Sequence, residues 1–275
     1  MAEWLEPAKL TYACSANYLD AVEAVNLTPE QQAFLKDIHD PMFKQTVRDF
    51  MVNQQFRKDY WVKGARRSTA LEQAQGLRDQ RLVLTAHRPD VSLKVTGALG
   101  EATLTEKVYA PVLDIMADHK IRSLGQIEQS VKDTGITFAQ LIQVVLVLCN
   151  NGTFSAVQDD TAISKAQNYT AKLNTHLMLK ARSNNEIGFL ASPVTGGGVG
   201  VGRFHQLFML ALQQGKKKPE DWAAFVAQIL AAQGQKIVKE GKPIETAQEQ
   251  LAELTNQAQD FAAKQLPILK ALQIT

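Results

Sequence analysis

The 275-residue sequence is poor in cysteine, in net charge and in long apolar runs, and each shortage removes a class of protein. Cys14 and Cys149 are the only cysteines, which excludes a disulfide scaffold. Both stand among apolar neighbours, so each is expected to be a buried, reduced thiol. No apolar stretch reaches the roughly 18 to 20 residues that cross a bilayer. The opening Met-Ala-Glu-Trp-Leu-Glu-Pro lacks the basic-then-apolar order of a signal peptide, so no membrane partner and a cytoplasmic location are expected. Thirty basic residues against 28 acidic ones, with a pI near 8.4, give no charge argument for nucleic acid. The five histidines lie scattered without a His-x-His or His-Glu-x-x-His pair, so no metal ligands are assigned. Ser15, Ser192 and Cys149 lack a nucleophile signature, Asp159-Asp160 reads as a solvated loop or helix cap, and no catalytic residue is assigned.

What remains is ordinary globular composition, 45 % hydrophobic and 21 % charged, enough for two or three modules with cores of their own. Leu10–Ala16 has strand content. Thr28-Pro-Glu-Gln31 is a capping box with proline at the first helical position, and Asp40-Pro41 repeats the device. After it, Phe43, Val47, Phe50 and Met51 recur at helical spacing and predict one apolar face. Asp59–Lys63 predicts a strand that ends at Gly64, while residues 65 to 80 read as a linker or a weak helix. Leu82–Leu84 and Val91–Thr96 predict strands. Helices follow around Val108–Met116, from Ser123 and from Thr137, and a strand returns at Phe154–Val157; Pro111 should kink the first of these helices or delay its start. Residues 81 to 160 thus spell strand, three helices, strand, the order of a winged-helix module. Beyond them, Phe204–Leu210, Trp222–Leu230 and Ala247–Phe261 have helical apolar spacing. Gly241 is expected to stop the second, and the last two to pair as an antiparallel hairpin.

The densest charge lies between Arg48 and Arg67, where six basic residues oppose only Asp49 and Asp59 in a chain of net charge +2. Two readings stay open. Arg and Lys could stay wet while Phe56, Tyr60 and Trp61 fill a core, or Arg57, Lys63, Arg66 and Arg67 could meet an acidic protein surface with Tyr60 or Trp61 as anchors. Within this stretch Asp49-Phe50, Asn53, Phe56-Arg57-x-Asp59 and Val62-Lys63-Gly64 resemble the predicted methyltransferase regulatory domain that follows the catalytic domain of some class I S-adenosylmethionine-dependent methyltransferases. The resemblance implies that residues 1 to about 27 are the tail of a catalytic sheet whose remainder lies elsewhere, so that the chain is a fragment. It also implies a catalytic domain as partner, a protein substrate where similar enzymes methylate lysines, and a homodimer. Arg57, Asp59, Tyr60, Lys63, Arg66 and Arg67 become the expected contacts to substrate or catalytic domain.

Thr195-Gly-Gly-Gly-Val-Gly-Val-Gly202 imitates a nucleotide-binding turn, but no acidic residue precedes it and only helices follow, so a structural turn or loop is expected. S-adenosylmethionine is therefore expected in a separate or missing catalytic domain, with no cofactor in this chain. Residues 137 to 150 contain no Lys or Arg, which argues against a DNA-reading helix and for a buried one. The expected fold is α+β, mostly α. It comprises a regulatory segment with the catalytic-domain remnant over 1–80, a winged-helix-like module over 81–160 and a helical module over 161–275. The expected role is substrate recognition or regulation for a methyltransferase, not catalysis by the chain alone. The alternative is a stand-alone winged-helix interaction or transcription-regulator protein.

Overall fold

A computed structural model describes every residue except Arg67, Glu240 and Thr275. The chain is α+β and mostly helical, 56 % helix against 15 % strand, because its strands are short and confined to small antiparallel sheets. It divides into two compact units, Met1–Ala156 and Val157–Thr275.

In the first unit, a single helical turn α1 (Ala2–Leu5) precedes strand β1 (Leu10–Ser15), which is followed by α2 (Pro29–Lys36), α3 (Pro41–Val52), β2 (Asp59–Lys63) and α4 (Ala70–Arg78). β1 and β2 pair antiparallel, Leu10 opposite Lys63 and Ser15 opposite Asp59, with a register irregularity between Tyr12 and Cys14. The N-terminal strand therefore has its partner some fifty residues along the chain. The capping boxes act as read: the Thr28 hydroxyl accepts from the Gln31 amide while the Gln31 side chain accepts from the Thr28 amide. The same exchange between Thr69 and Glu72 starts α4, so the stretch taken as a linker or weak helix contains an ordered helix.

Then come β3 (Arg81–Leu84), the hairpin β4 (Lys94–Gly97) and β5 (Gly100–Thr103), α5 (Glu106–Ile115), β6 (Arg122–Ser123), α6 (Leu124–Val131), α7 (Phe138–Asn150) and β7 (Phe154–Ala156). β3 lies between β6 and β7 in a three-stranded antiparallel sheet. Beside it Leu84, Val112, Leu113, Met116, Ile127, Leu141, Val144, Leu148 and Phe154 form one buried cluster. α7 buries the face of Leu141, Val144, Val147 and Leu148 in this cluster and leaves Ala139, Gln140 and Gln143 exposed, so the helix expected to be buried is only half so. α5 runs through Pro111. The strand read at 91–96 is shorter and belongs to a hairpin. That hairpin needs glycine at its corner, because a Cβ on Gly97 would stand 2.1 Å from the Val25 carbonyl oxygen.

The second unit opens with the long α8 (Asp160–Lys180), followed by the hairpin β8 (Phe189–Ser192) and β9 (Gly197–Gly200), α9 (Arg203–Gln213), α10 (Pro219–Ala232), a small hairpin β10 (Val238–Lys239) and β11 (Lys242–Pro243), α11 (Ala247–Asp260), a π-helical turn over Phe261–Gln265 and α12 (Leu266–Ala271). α10 and α11 are antiparallel: the Gln259 side chain at the end of α11 donates to Glu220 at the start of α10, 3.2 Å away. Their core is aromatic, with Phe208, Trp222 and Phe261 buried and Phe208 and Phe261 at 5.7 Å between ring centres. Gly241 does not stop α10. The helix ends at Ala232, where Gly234 takes the left-handed conformation, and Gly241 turns the small hairpin instead.

Candidate functional site: an inverted helix beside a two-stranded ribbon

The segment from β1 to β2 reverses the usual rule of burial. Arg48 on α3 is only 7 % exposed, whereas Phe43 and Phe50 on the same helix are exposed, Phe50 to 83 %. The helical spacing of Phe43, Val47, Phe50 and Met51 suggested a core-facing stripe. In the structure Val47 and Met51 are half-buried, and the two aromatics face away from every core this chain supplies. Phe34 on α2, and Phe56 and Tyr60 around β2, are exposed as well, Phe56 to 90 %. Phe43 and Phe50, seven residues apart on one helix, share a face, which is the arrangement in which exposed apolar groups mark an interaction surface.

Charge takes the vacated interior. Asp20, half-buried, accepts from the Ser15 hydroxyl at 2.7 Å, from the Asn17 side-chain amide at 3.1 Å and from Arg48 Nη2 at 3.1 Å. Arg57 lies between two acids, its Nε 3.3 Å from Asp49 Oδ2 and 3.6 Å from Asp59 Oδ2. The pairing is incomplete: Arg48 Nε, Asp49 Oδ1 and Asp59 Oδ1 are buried without a hydrogen-bond partner. Burial pushes the Asp49 carboxyl above its ordinary range, outweighing the downward pull of Arg57 and Arg48. Tyr12 is raised too, first by burial and then by the nearby Asp59. Its ring meets Trp61 edge-on across the ribbon, 5.9 Å between centres.

The residues singled out in the sequence therefore separate. Arg57, at the surface, pairs with the half-buried Asp59; Tyr60 and Lys63 are exposed on β2; Arg66 pairs at the surface with Glu72 at 2.7 Å; Arg67 lies outside the described residues. Asp20 and Glu72 come from outside the basic stretch, so part of its positive excess is answered within the chain. Among the described residues Lys58 and Lys63 have no ion-pair partner. Sequence reasoning missed Asp20 and the aromatics Phe34, Phe43 and Phe50 as surface groups. Alternation of aromatic and basic residues on one helix was the only local signal.

The other residues weighed in the sequence have settled places. Cys14 is exposed on β1, contrary to expectation, because the two-stranded ribbon has no second layer over it. Cys149 is half-buried at the end of α7, and burial pushes its thiol up to about 11, which suits an inert thiol. Among the described residues no group of three His, Cys, Asp or Glu side chains could hold a metal ion, and no helix is long and apolar enough to cross a membrane. The glycine cluster is the second strand of the β8–β9 hairpin.

Residues 1–63 match the family model of a predicted methyltransferase regulatory domain. Over its full 275 residues the chain is 37 % identical to an uncharacterized protein of Synechocystis sp., of which it spans 53 %. PKMT2 from Rickettsia typhi, solved in complex with AdoHcy, superposes with a TM-score of 0.53 at 12 % identity over 98 % of this chain and 56 % of that one. A second PKMT2 structure gives 0.54 at 12 % identity over 99 % and 58 %. At that identity the likeness is one of fold. The resemblance read from Asp49 onward is borne out by the family match, which ends at Lys63. The chain spans about half the length of the curated relative it matches.

Proposed function

We propose that the chain is the regulatory and substrate-recognition portion of an S-adenosylmethionine-dependent methyltransferase acting on a protein, with cofactor and catalytic residues in a separate part. The observation that carries this reading is the inversion of α3. An Arg48–Asp20 pair sets the helix orientation, and that orientation presents Phe43 and Phe50, one face of α3, as an apolar docking face. The match of residues 1–63 to a methyltransferase regulatory domain supports a catalytic part as the partner. The relative's additional length, nearly as long again as the region shared, leaves room for such a part.

In this reading Lys63 and Tyr60, exposed on β2, lie at the junction with the partner. The module over residues 81–160 is winged-helix-like in this proposal; the sheet order β6–β3–β7 beside α5, α6 and α7 supports it. The exposed face of α7 carries Ala139, Gln140 and Gln143 and no Lys or Arg, so the module serves in this proposal as a spacer or protein-binding body rather than a reader of DNA.

The test mixes this chain with the portion of the Synechocystis relative that it does not cover, produced separately, and follows transfer of a radiolabelled methyl group from S-adenosylmethionine to protein. Transfer that requires both components supports the proposal. Cofactor binding and methyl transfer by the chain alone would overturn it.

A further inference from the structure

The glycines of β9 leave one edge of the β8–β9 hairpin open, while the other is closed by a side chain. Asn174, fully buried on α8, imitates a neighbouring strand for β8: its Oδ1 accepts from the Ala191 amide at 2.7 Å and its Nδ2 donates to the Ala191 carbonyl at 2.8 Å. The hairpin turn is fixed from within, since Ser192 Oγ accepts from the Val194 and Thr195 amides and donates to the Leu272 carbonyl. Asn174 also donates to the Ile274 carbonyl. β8 is therefore anchored, and β9 is the exposed strand.

Register decides which groups β9 presents. The Val201 amide donates to the Gly188 carbonyl, and pairs two residues apart repeat that pattern, so Leu190/Val199 and Ser192/Gly197 exchange bonds within the hairpin. Gly198 and Gly200, opposite Ala191 and Phe189, then turn their N–H and C=O outward, just as Ala191 turns its own toward Asn174. Both glycines are exposed, and no group among the described residues bonds these outward atoms. A Cβ on Gly197 or Gly200 would meet nothing within 4 Å, so a second backbone can approach closely. The usual protections of an edge, a lysine, a proline or a bulge, are absent from Gly-Gly-Val-Gly. On the outward face Phe189 is 62 % exposed and leans beside Gly198, leaving an apolar wall along a trough without side chains.

We propose that this edge receives an extended polypeptide segment as an added strand. Alternating main-chain donors and acceptors on Gly198 and Gly200 pair with the incoming backbone, and an apolar side chain of that segment packs against Phe189. The ligand class is unfolded or strand-forming polypeptide, which rests on the reading above that the substrate is a protein and names how it is held. Binding is measured on the chain without methyl transfer, so failure here is distinguishable from failure of the methyltransferase reading.

The probe is reduced, carboxymethylated α-lactalbumin, an unfolded polypeptide, followed by fluorescence anisotropy together with hydrogen exchange. Saturable binding should slow exchange at the Gly198 and Gly200 amides. Gly198→Pro removes an outward donor without touching the internal hairpin bonds and should weaken binding about tenfold, the equivalent of one backbone hydrogen bond. Phe189→Ala, which leaves the backbone intact, should weaken it as well. Unchanged binding by both variants, no binding by the parent, or protection already present because sedimentation shows two copies joined at this edge would each overturn the proposal.

Discussion

α3 and α9 look alike in sequence and end in opposite environments. Phe43, Val47, Phe50 and Met51 step along α3 as Phe204, Leu207, Phe208 and Ala211 step along α9. On α9, Leu207, Phe208, Met209, Leu210 and Ala211 are all buried, because α8, α10 and Phe261 of the π-helical turn supply a core around them. On α3 Arg48 is the only residue fully withdrawn, held by Asp20. An apolar stripe thus states a demand for a partner, and whether the partner lies within the same chain is a separate question. For α3 it does not.

The largest expected effects separate the two helices by stability. Phe208→Ala should cost about 3 to 5 kcal/mol, the range for emptying a buried aromatic site. Phe50→Ala should stay within about 0.5 kcal/mol, as for an exposed position. Denaturant melts of the two variants check both, and equal losses would mean that Phe50 is packed.

Arg48→Ala comes next. Removing one member of a buried pair costs about 3 to 5 kcal/mol, but Asp20 is partly exposed and keeps its bonds from Ser15 and Asn17, so about 1 to 2 kcal/mol is expected. A variant as stable as the parent would remove the internal lock proposed for α3.

A smaller difference is predicted between the two cations chosen from the sequence. Arg57→Glu should destabilise by about 1 kcal/mol, since it sets a third acid between Asp49 and Asp59. Lys63→Glu, at the exposed end of β2, should leave melting unchanged within about 0.5 kcal/mol and slow association with the catalytic part in a salt-sensitive manner. If both variants melt alike, the ion cluster contributes nothing measurable.

The smallest effect is a pH dependence in the second unit. His205 stacks on Phe261 at 4.9 Å, and burial lowers its pKa, only partly opposed by Asp260, which is itself paired with Lys264. The native state then resists protonation. Stability from this group is complete above the unfolded value of about 6.5 and is lost as pH falls through the lower folded value. His205→Phe should flatten the melting profile below about pH 6.5; an unchanged slope would assign it to other groups.

Legibility in the sequence followed the range of the interaction. The caps at Thr28, Ser123 and Thr137 are exchanges over three residues, and all were readable. Thr69-x-x-Glu72 carried the same signal, obscured by the weak apolar period around it. Pairing of β1 with β2 and of β3 with β6 and β7 joins residues far apart, and β5, Gly-Glu-Ala-Thr, has little strand character of its own. At the candidate site the basic stretch and its tie to Asp49 and Asp59 were visible, since all lie within twenty residues. Asp20 was not, because it reaches Arg48 across 28 positions. The exposure of Phe50 was illegible for a different reason: a periodic stripe reads the same whether its core belongs to this chain or to a partner.

The most direct measurement of the central claim is the affinity of this chain for the uncovered portion of the Synechocystis relative, with Phe43→Ser and Phe50→Ser combined, by calorimetry beside thermal melting. The account predicts unchanged melting and at least a tenfold loss of affinity, about 1.4 kcal/mol or more from two exposed aromatic anchors. Undiminished affinity in a folded double variant would contradict it.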